Sequence, residues 1–193
     1  MRRLYALALV TLLLIAGCGK RESGAFQLTD VTGAPFGKTL ELTDHNGQRR
    51  TLADFKGKVV AVFFGFTHCP DACPTTMAEL ANVAKELGPD ASRFQVLFVT
   101  VDPERDKPEV LKQYVPAFNP SFLALYGTPE ETARTAKEFK VYFAKSQQPG
   151  GNYTVDHSAG TFVFDKQGRL RLFGQYGAGA KAILHDVKIL LNE

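Results

Sequence analysis

Tryptophan is absent, and cysteine occurs only three times in 193 residues. So few cysteines exclude a small secreted scaffold stapled by several bridges. Charge of one sign is scarce as well. The 23 Lys and Arg face 20 Asp and Glu, and discounting Arg2 and Arg3 leaves 21 against 20. The basic residues are interleaved with acids and form no dense block, which argues against a nucleic-acid partner. Internal repeats, low-complexity tracts and signs of a second domain are missing too. What is present, 45% hydrophobic residues with 15 phenylalanines, suffices for one domain with a packed, β-rich core.

The long apolar run that would cross a membrane is missing. Leu4 to Ile15, behind the positive Met1-Arg2-Arg3, is too short for a comfortable transmembrane helix and suits a secretory h-region. It runs into Leu14-Ile15-Ala16-Gly17-Cys18, which resembles a bacterial lipobox. Residues 1–17 are therefore expected to be a lipoprotein signal peptide and 18–25 a tether lipidated at Cys18, with the folded domain over 26–193. Acyl chains on Cys18 would anchor the protein to a bacterial membrane on its periplasmic or extracytoplasmic side. Cys69 and Cys73 are left as a pair in an oxidising compartment.

Beyond the tether, Asn46-Gly47 between Leu42-Thr43 and Arg50-Thr51-Leu52 predicts a hairpin. Val59 to Phe66 and Phe94 to Val101 are continuous apolar runs, expected of strands buried on both faces. Helices are predicted over Pro74 to Leu87, Lys107 to Phe118, Pro129 to Phe139 and Ala180 to Leu191. Thr161 to Phe164 and Leu170 to Phe173 flank the turn residues Asp165 to Gly168, a second hairpin. A β-rich start, then β-α-β-α, a hairpin and a last helix predict an α/β domain. It is expected to be thioredoxin-like, with a central mixed sheet, helices on both faces and an N-terminal hairpin extension.

The chemistry concentrates in Phe66-Thr67-His68-Cys69-Pro70-Asp71-Ala72-Cys73-Pro74, where the first buried strand feeds the first helix. Free backbone N–H groups and the helix dipole there are expected to lower the thiol pKa values. The helix can begin at either proline; both starts leave the thiols neighbours. A disulfide across so small a loop would stabilise little, so the pair is there to react or to bind. Thioredoxin-like reductants use C-x-x-C, whereas the wider spacing here also lets two sulfurs splay around one soft ion, Cu(I) or Zn(II).

A two-sulfur site needs a third donor, and the chain has four histidines. His45 reads as a solvated turn residue, His185 as a surface residue of the last helix, and His68 as a neighbour whose side chain points away. His157 precedes the strand Thr161 to Phe164, in a loop where thioredoxin-like oxidoreductases place a cis-proline facing the cysteines. Ala159 stands at the proline's expected position, so His157 is predicted to face Cys69 and Cys73. Asp71 and Asp156 are candidates for orienting the donors, or equally for capping and turn roles.

Three stretches, Cys69-Pro70-Asp71-Ala72-Cys73-Pro74, Val101-Asp102-Pro103-Glu104-Arg105-Asp106 and Asp156-His157-Ser158-Ala159-Gly160, resemble the signatures of the Sco/SenC copper proteins. The resemblance runs from about Phe26 to the C-terminus. It implies copper, Cu(I) or Cu(II), on Cys69, Cys73 and His157. It also implies a chaperone role toward the copper A subunit of cytochrome c oxidase, or toward another copper donor or acceptor. The competing expectation is a thiol-disulfide oxidoreductase using Cys69 and Cys73 on a copper acceptor's cysteines. A peroxiredoxin-like peroxidase ranks last, for want of a proline-threonine context before a single reactive cysteine.

Overall fold

The structure is a computed structural model that describes residues 25–193; Cys18, the leader before it and most of the tether lie outside the described residues. Strands β4 (Val59–Gly65) and β5 (Phe94–Thr100) are buried at every position and pair in parallel. Such runs can lie only where both faces of a sheet are covered. Phe63 and Gly65 on one face meet Cys73 and Phe98, and Phe64 on the other packs on Phe139, at 5.1 Å between ring centroids.

Strand β1 (Thr29–Asp30), the hairpin β2 (Glu41–Asp44) and β3 (Arg49–Thr51), and β6 (Leu123–Tyr126) join β4 and β5 in one sheet with β9 (Gly160–Phe164) and β10 (Leu170–Gln175). Its order is β1-β10-β9-β4-β5-β6-β2-β3. β6 continues the parallel centre, and every other pairing is antiparallel. The N-terminal hairpin β2–β3 thus extends one edge, as expected from Asn46-Gly47. Gly47 takes φ +85°, which suits a residue without Cβ in a tight turn.

Helix α1 (Ala72–Glu86) follows β4, α2 (Pro108–Phe118) follows β5, α3 (Pro129–Glu138) follows β6, and α4 (Ala180–Asn192) closes the chain. Thr128 and Glu131 cap α3 reciprocally. Buried Asp186 in α4 accepts the backbone N–H groups of Gln27 at 3.0 Å and Leu28 at 2.7 Å, fixing where the chain enters the fold.

Two elements depart from the expected order. The short strand β6 lies between α2 and α3, so the repeat is β-α-β-α-β-α. A separate two-stranded sheet, β7 (Phe143–Gln147) with β8 (Tyr153–His157), follows α3. His157 therefore ends a strand, paired with Phe143, rather than sitting in a loop.

Candidate metal centre

Helix α1 begins at Ala72, so neither Pro70 nor Pro74 opens it, and Asp71 occupies the capping position. Cys69 lies in the turn before the helix, half-buried, and Cys73 in its first turn, fully buried; both are free. The Cys73 N–H donates to Cys69 Sγ at 3.4 Å. Gly65 makes room for the Cys73 sulfur, since a Cβ there would come within 2.8 Å of Sγ.

Of this pair, His157 meets Cys73. Its Nε2 lies 3.8 Å from Cys73 Sγ, and its ring stands edge-on to Phe66. Nδ1 is 3.2 Å from the Val155 carbonyl oxygen. A carbonyl only accepts, so Nδ1 carries the proton and Nε2 presents its lone pair to the sulfur. Burial holds the imidazole below its usual pKa, which keeps that lone pair free near neutrality. Among the described residues, no three thiol, imidazole or carboxylate side chains already close around one point as a finished metal cage.

The expected lowering of the thiol pKa fails for Cys73. Burial pushes this thiol up, outweighing the hydrogen bond it gains at the strand's end. Removing a sulfur from water costs its anion more than one helix terminus returns.

The other histidines sort themselves. His68 is more than half exposed and turns to Thr67 Oγ1, 3.1 Å away, and not to the sulfurs. His185 pairs with Asp186 at 2.7 Å, part-exposed on α4. His45 corrects the reading of a solvated turn residue. It is 7% exposed, and its Nδ1 accepts the Ala124 N–H at 3.0 Å, tying the hairpin to β6. Asp71 accepts from Thr75 Oγ1 at 3.3 Å, and Asp156 is exposed on β8. Neither hydrogen-bonds His157 or the cysteines.

Residues with no role assigned from sequence frame the site. Buried Asp106 accepts from Thr100 Oγ1 and Thr67 Oγ1, both at 2.6 Å, and from the Thr67 N–H at 3.0 Å. Burial raises its pKa, with those bonds opposing. Arg105 pairs with Asp102, donates from Nη1 to the Tyr153 carbonyl at 2.8 Å, and lies 3.7 Å over the Tyr153 ring. Tyr153 Oη donates to Asp102 Oδ1 at 2.9 Å; burial and that carboxylate push the phenol up to about 12. The signal for Asp102, Arg105 and Asp106 was the Val101 to Asp106 stretch. For Tyr153 there was none.

A reactive turn at the carboxyl end of a central parallel strand, faced by the segment that enters the antiparallel strand beside it, defines a thioredoxin-like domain. This one lacks the cis-proline of the reductases, since Ala159 fills its place and no cis peptide occurs among the described residues. The chain belongs to the SCO1/SenC family, whose model matches residues 29–192. It is 35% identical to a SCO2-like protein of Rickettsia prowazekii over 94% of this chain and 89% of that one. It resembles the structure of copper-bound ScoI from Bradyrhizobium japonicum, with TM-score 0.74, 37% identity, and 81% of this chain and 99% of that chain covered. Apo Sco1 of Thermus thermophilus gives TM-score 0.77, 43% identity, and 86% and 98% coverage.

Proposed function

We propose that this chain binds one copper ion through Cys69, Cys73 and His157 and hands it to an acceptor, the copper A centre of cytochrome c oxidase. The observation that carries the reading is the Cys73–His157 pair, with the imidazole lone pair aimed at the sulfur across 3.8 Å. An ion held trigonally, at roughly 2.3 Å from a thiolate and 2.0 Å from an imidazole, separates those two atoms by about 3.7 Å. The donor set suits the ion as well: two sulfurs and a nitrogen are soft enough for Cu(I). The copper-bound relative from Bradyrhizobium supports copper over zinc.

The residues around the ion position it and exclude water. Val155 orients the imidazole, Phe66 covers one edge of it, and Gly65 seats the buried sulfur. The part-exposed Cys69 is the donor that a partner's thiol would meet first. We further propose that lipid on Cys18 holds the domain at the extracytoplasmic face of a bacterial membrane. No helix among the described residues is long and apolar enough to cross one.

Anaerobic titration of the reduced domain with Cu(I) tests the site. One copper per chain is expected, with none after Cys69 and Cys73 are oxidised to a disulfide. Equal stoichiometry in both forms would exclude the thiolates as ligands. The mass of the N-terminal peptide of membrane-extracted protein tests the anchor.

A second reading, reduction of an acceptor's disulfide, is favoured by one contact. The Cys73 N–H directed at Cys69 Sγ gives the accessible sulfur a donor when it acts as the attacking thiolate.

A further inference from the structure

The two-stranded sheet β7–β8 shares no backbone ladder with the main sheet, yet it carries His157. Val155 is buried in the core and Phe143 and Tyr153 pack part-buried against it, but apolar packing is non-directional and does not by itself fix the rotation or height of a two-stranded hairpin. Its polar side-chain bridges to the rest of the fold are few among the described residues. One is His157 to Cys73. The others end on the turn between β5 and α2: Arg105 to the Tyr153 carbonyl, Tyr153 Oη to Asp102, and Lys145 to Glu104 at 2.6 Å.

That turn is itself fixed. The Asp102 N–H donates to Thr100 Oγ1 at 3.0 Å, and the N–H groups of Arg105 and Asp106 return to the Asp102 carbonyl. Asp106 grips Thr67, two residues before Cys69, while Arg105 grips Tyr153, four before His157. One turn thus sets the register of the segment before the cysteines and of the strand that ends in the imidazole. We propose that Arg105, with Asp102 and Tyr153, is a positioning clamp that docks the β7–β8 hairpin and so holds His157 opposite the cysteines.

The guanidinium is the residue type this clamp needs. Its plane lies on the Tyr153 ring and, at 5.8 Å, over Phe66, the ring that also meets His157. Its edge reaches Asp102 and the Tyr153 carbonyl together. Lysine keeps the charge but has neither the plane nor the fork. The remaining Nη2 is buried and finds no partner, so the fork is not spent on satisfying every donor; it is held by the two contacts and the stack.

The consequence for copper rests on His157 being a ligand; the docking of the hairpin does not. Two substitutions therefore serve, Arg105→Lys and the milder Tyr153→Phe, which removes one hydroxyl. In the metal-free, reduced protein, Arg105→Lys is expected to speed amide exchange in β7 and β8 by at least about tenfold, with β4 and β9 unchanged. Tyr153→Phe is expected to do the same to a smaller degree, and decides the matter if the lysine variant does not fold. In the Cu(II) complex, Arg105→Lys should weaken or abolish the imidazole nitrogen coupling in the electron paramagnetic resonance spectrum. The dithiol–disulfide equilibrium against glutathione should stay within about twofold of the parent, because the segment before the cysteines is held through Asp106 and Thr67, which the lysine leaves in place. Hairpin amides exchanging at parental rates in the variants that fold would overturn the clamp. A parent Cu(II) complex without nitrogen coupling would overturn His157 as ligand, and the exchange data would still decide the clamp.

Discussion

His157 Nε2 and Cys73 Sγ stand 3.8 Å apart although 84 residues separate them, one on a strand of the small sheet and the other on a helix between strands of the large one. The imidazole arrives on β8 of the small hairpin, and the sulfur on the helix that leaves the central strand. A ligand bridging them closes a long loop of chain, so its binding is coupled to the stability of the fold.

Replacing His157 with Ala is expected to separate the two oxidation states of copper. Cu(II) prefers nitrogen donors and should bind at least about tenfold more weakly, while Cu(I) keeps both sulfurs and changes less. Dithiol exchange should survive. Competition titrations with each ion, beside exchange with glutathione, check this, and equal losses for both ions would contradict it.

Gly65→Ala should be disproportionately harmful for a single methyl. Its Cβ would lie 2.8 Å from Cys73 Sγ, 2.9 Å from the Phe63 ring and 3.0 Å from the Phe98 ring. Overpacking of this kind costs roughly 1–3 kcal/mol. The Cys73 sulfur is the neighbour pushed first. A lowered unfolding midpoint together with weakened Cu(I) binding is the expected pair of results, measured by denaturant titration and copper competition.

Copper uptake should depend on pH. Burial pushes the Cys73 thiol up, so the metal must displace its proton. Each proton released makes the apparent Cu(I) affinity rise about tenfold per pH unit. Competition titrations across the neutral range test this; a flat profile would mean that Cys73 is already a thiolate.

His45 should make the fold acid-sensitive before its carboxylates titrate. Burial, the largest influence, lowers its pKa; Lys112 acts the same way and Asp44 opposes it. The unfolded chain therefore binds the proton first. Stability contributed by the neutral ring is complete above the unfolded value of 6.5 and is lost as pH falls toward the folded one. His45→Gln, which keeps an acceptor for the Ala124 N–H, should flatten the loss as pH falls below 6.5. His157, shifted in the same direction, leaves part of the slope in place.

The dithiol turn was legible because its surroundings are extreme: an unbroken apolar strand before it and an amphipathic helix after it. His157 was legible through what is missing nearby, the proline replaced by Ala159. The strand that carries it was not. Phe143-Ala144-Lys145-Ser146-Gln147 and Tyr153-Thr154-Val155-Asp156-His157 are largely part-exposed, and they show neither a continuous apolar run nor clean alternation. Four-residue β6 is too short to show a period. His45 sits in a sequence that reads as a turn, and only β6, 79 residues away, makes it a buried acceptor. The Cys73 thiol was misjudged because local sequence displays the helix terminus but not the depth of burial.

The buried Asp186 carboxylate, which holds the backbone at Gln27 and Leu28, has a mechanical consequence. Together with the pairing of β1 to β10 it fastens the start of the domain at the sheet edge remote from β5, with β10 and β9 between that edge and β4. A pull applied to the chain ahead of Gln27 is resisted there first. The load would be borne by the carboxylate and the outermost ladder before it crossed β10 and β9 to the strand that leads into Cys69 and Cys73.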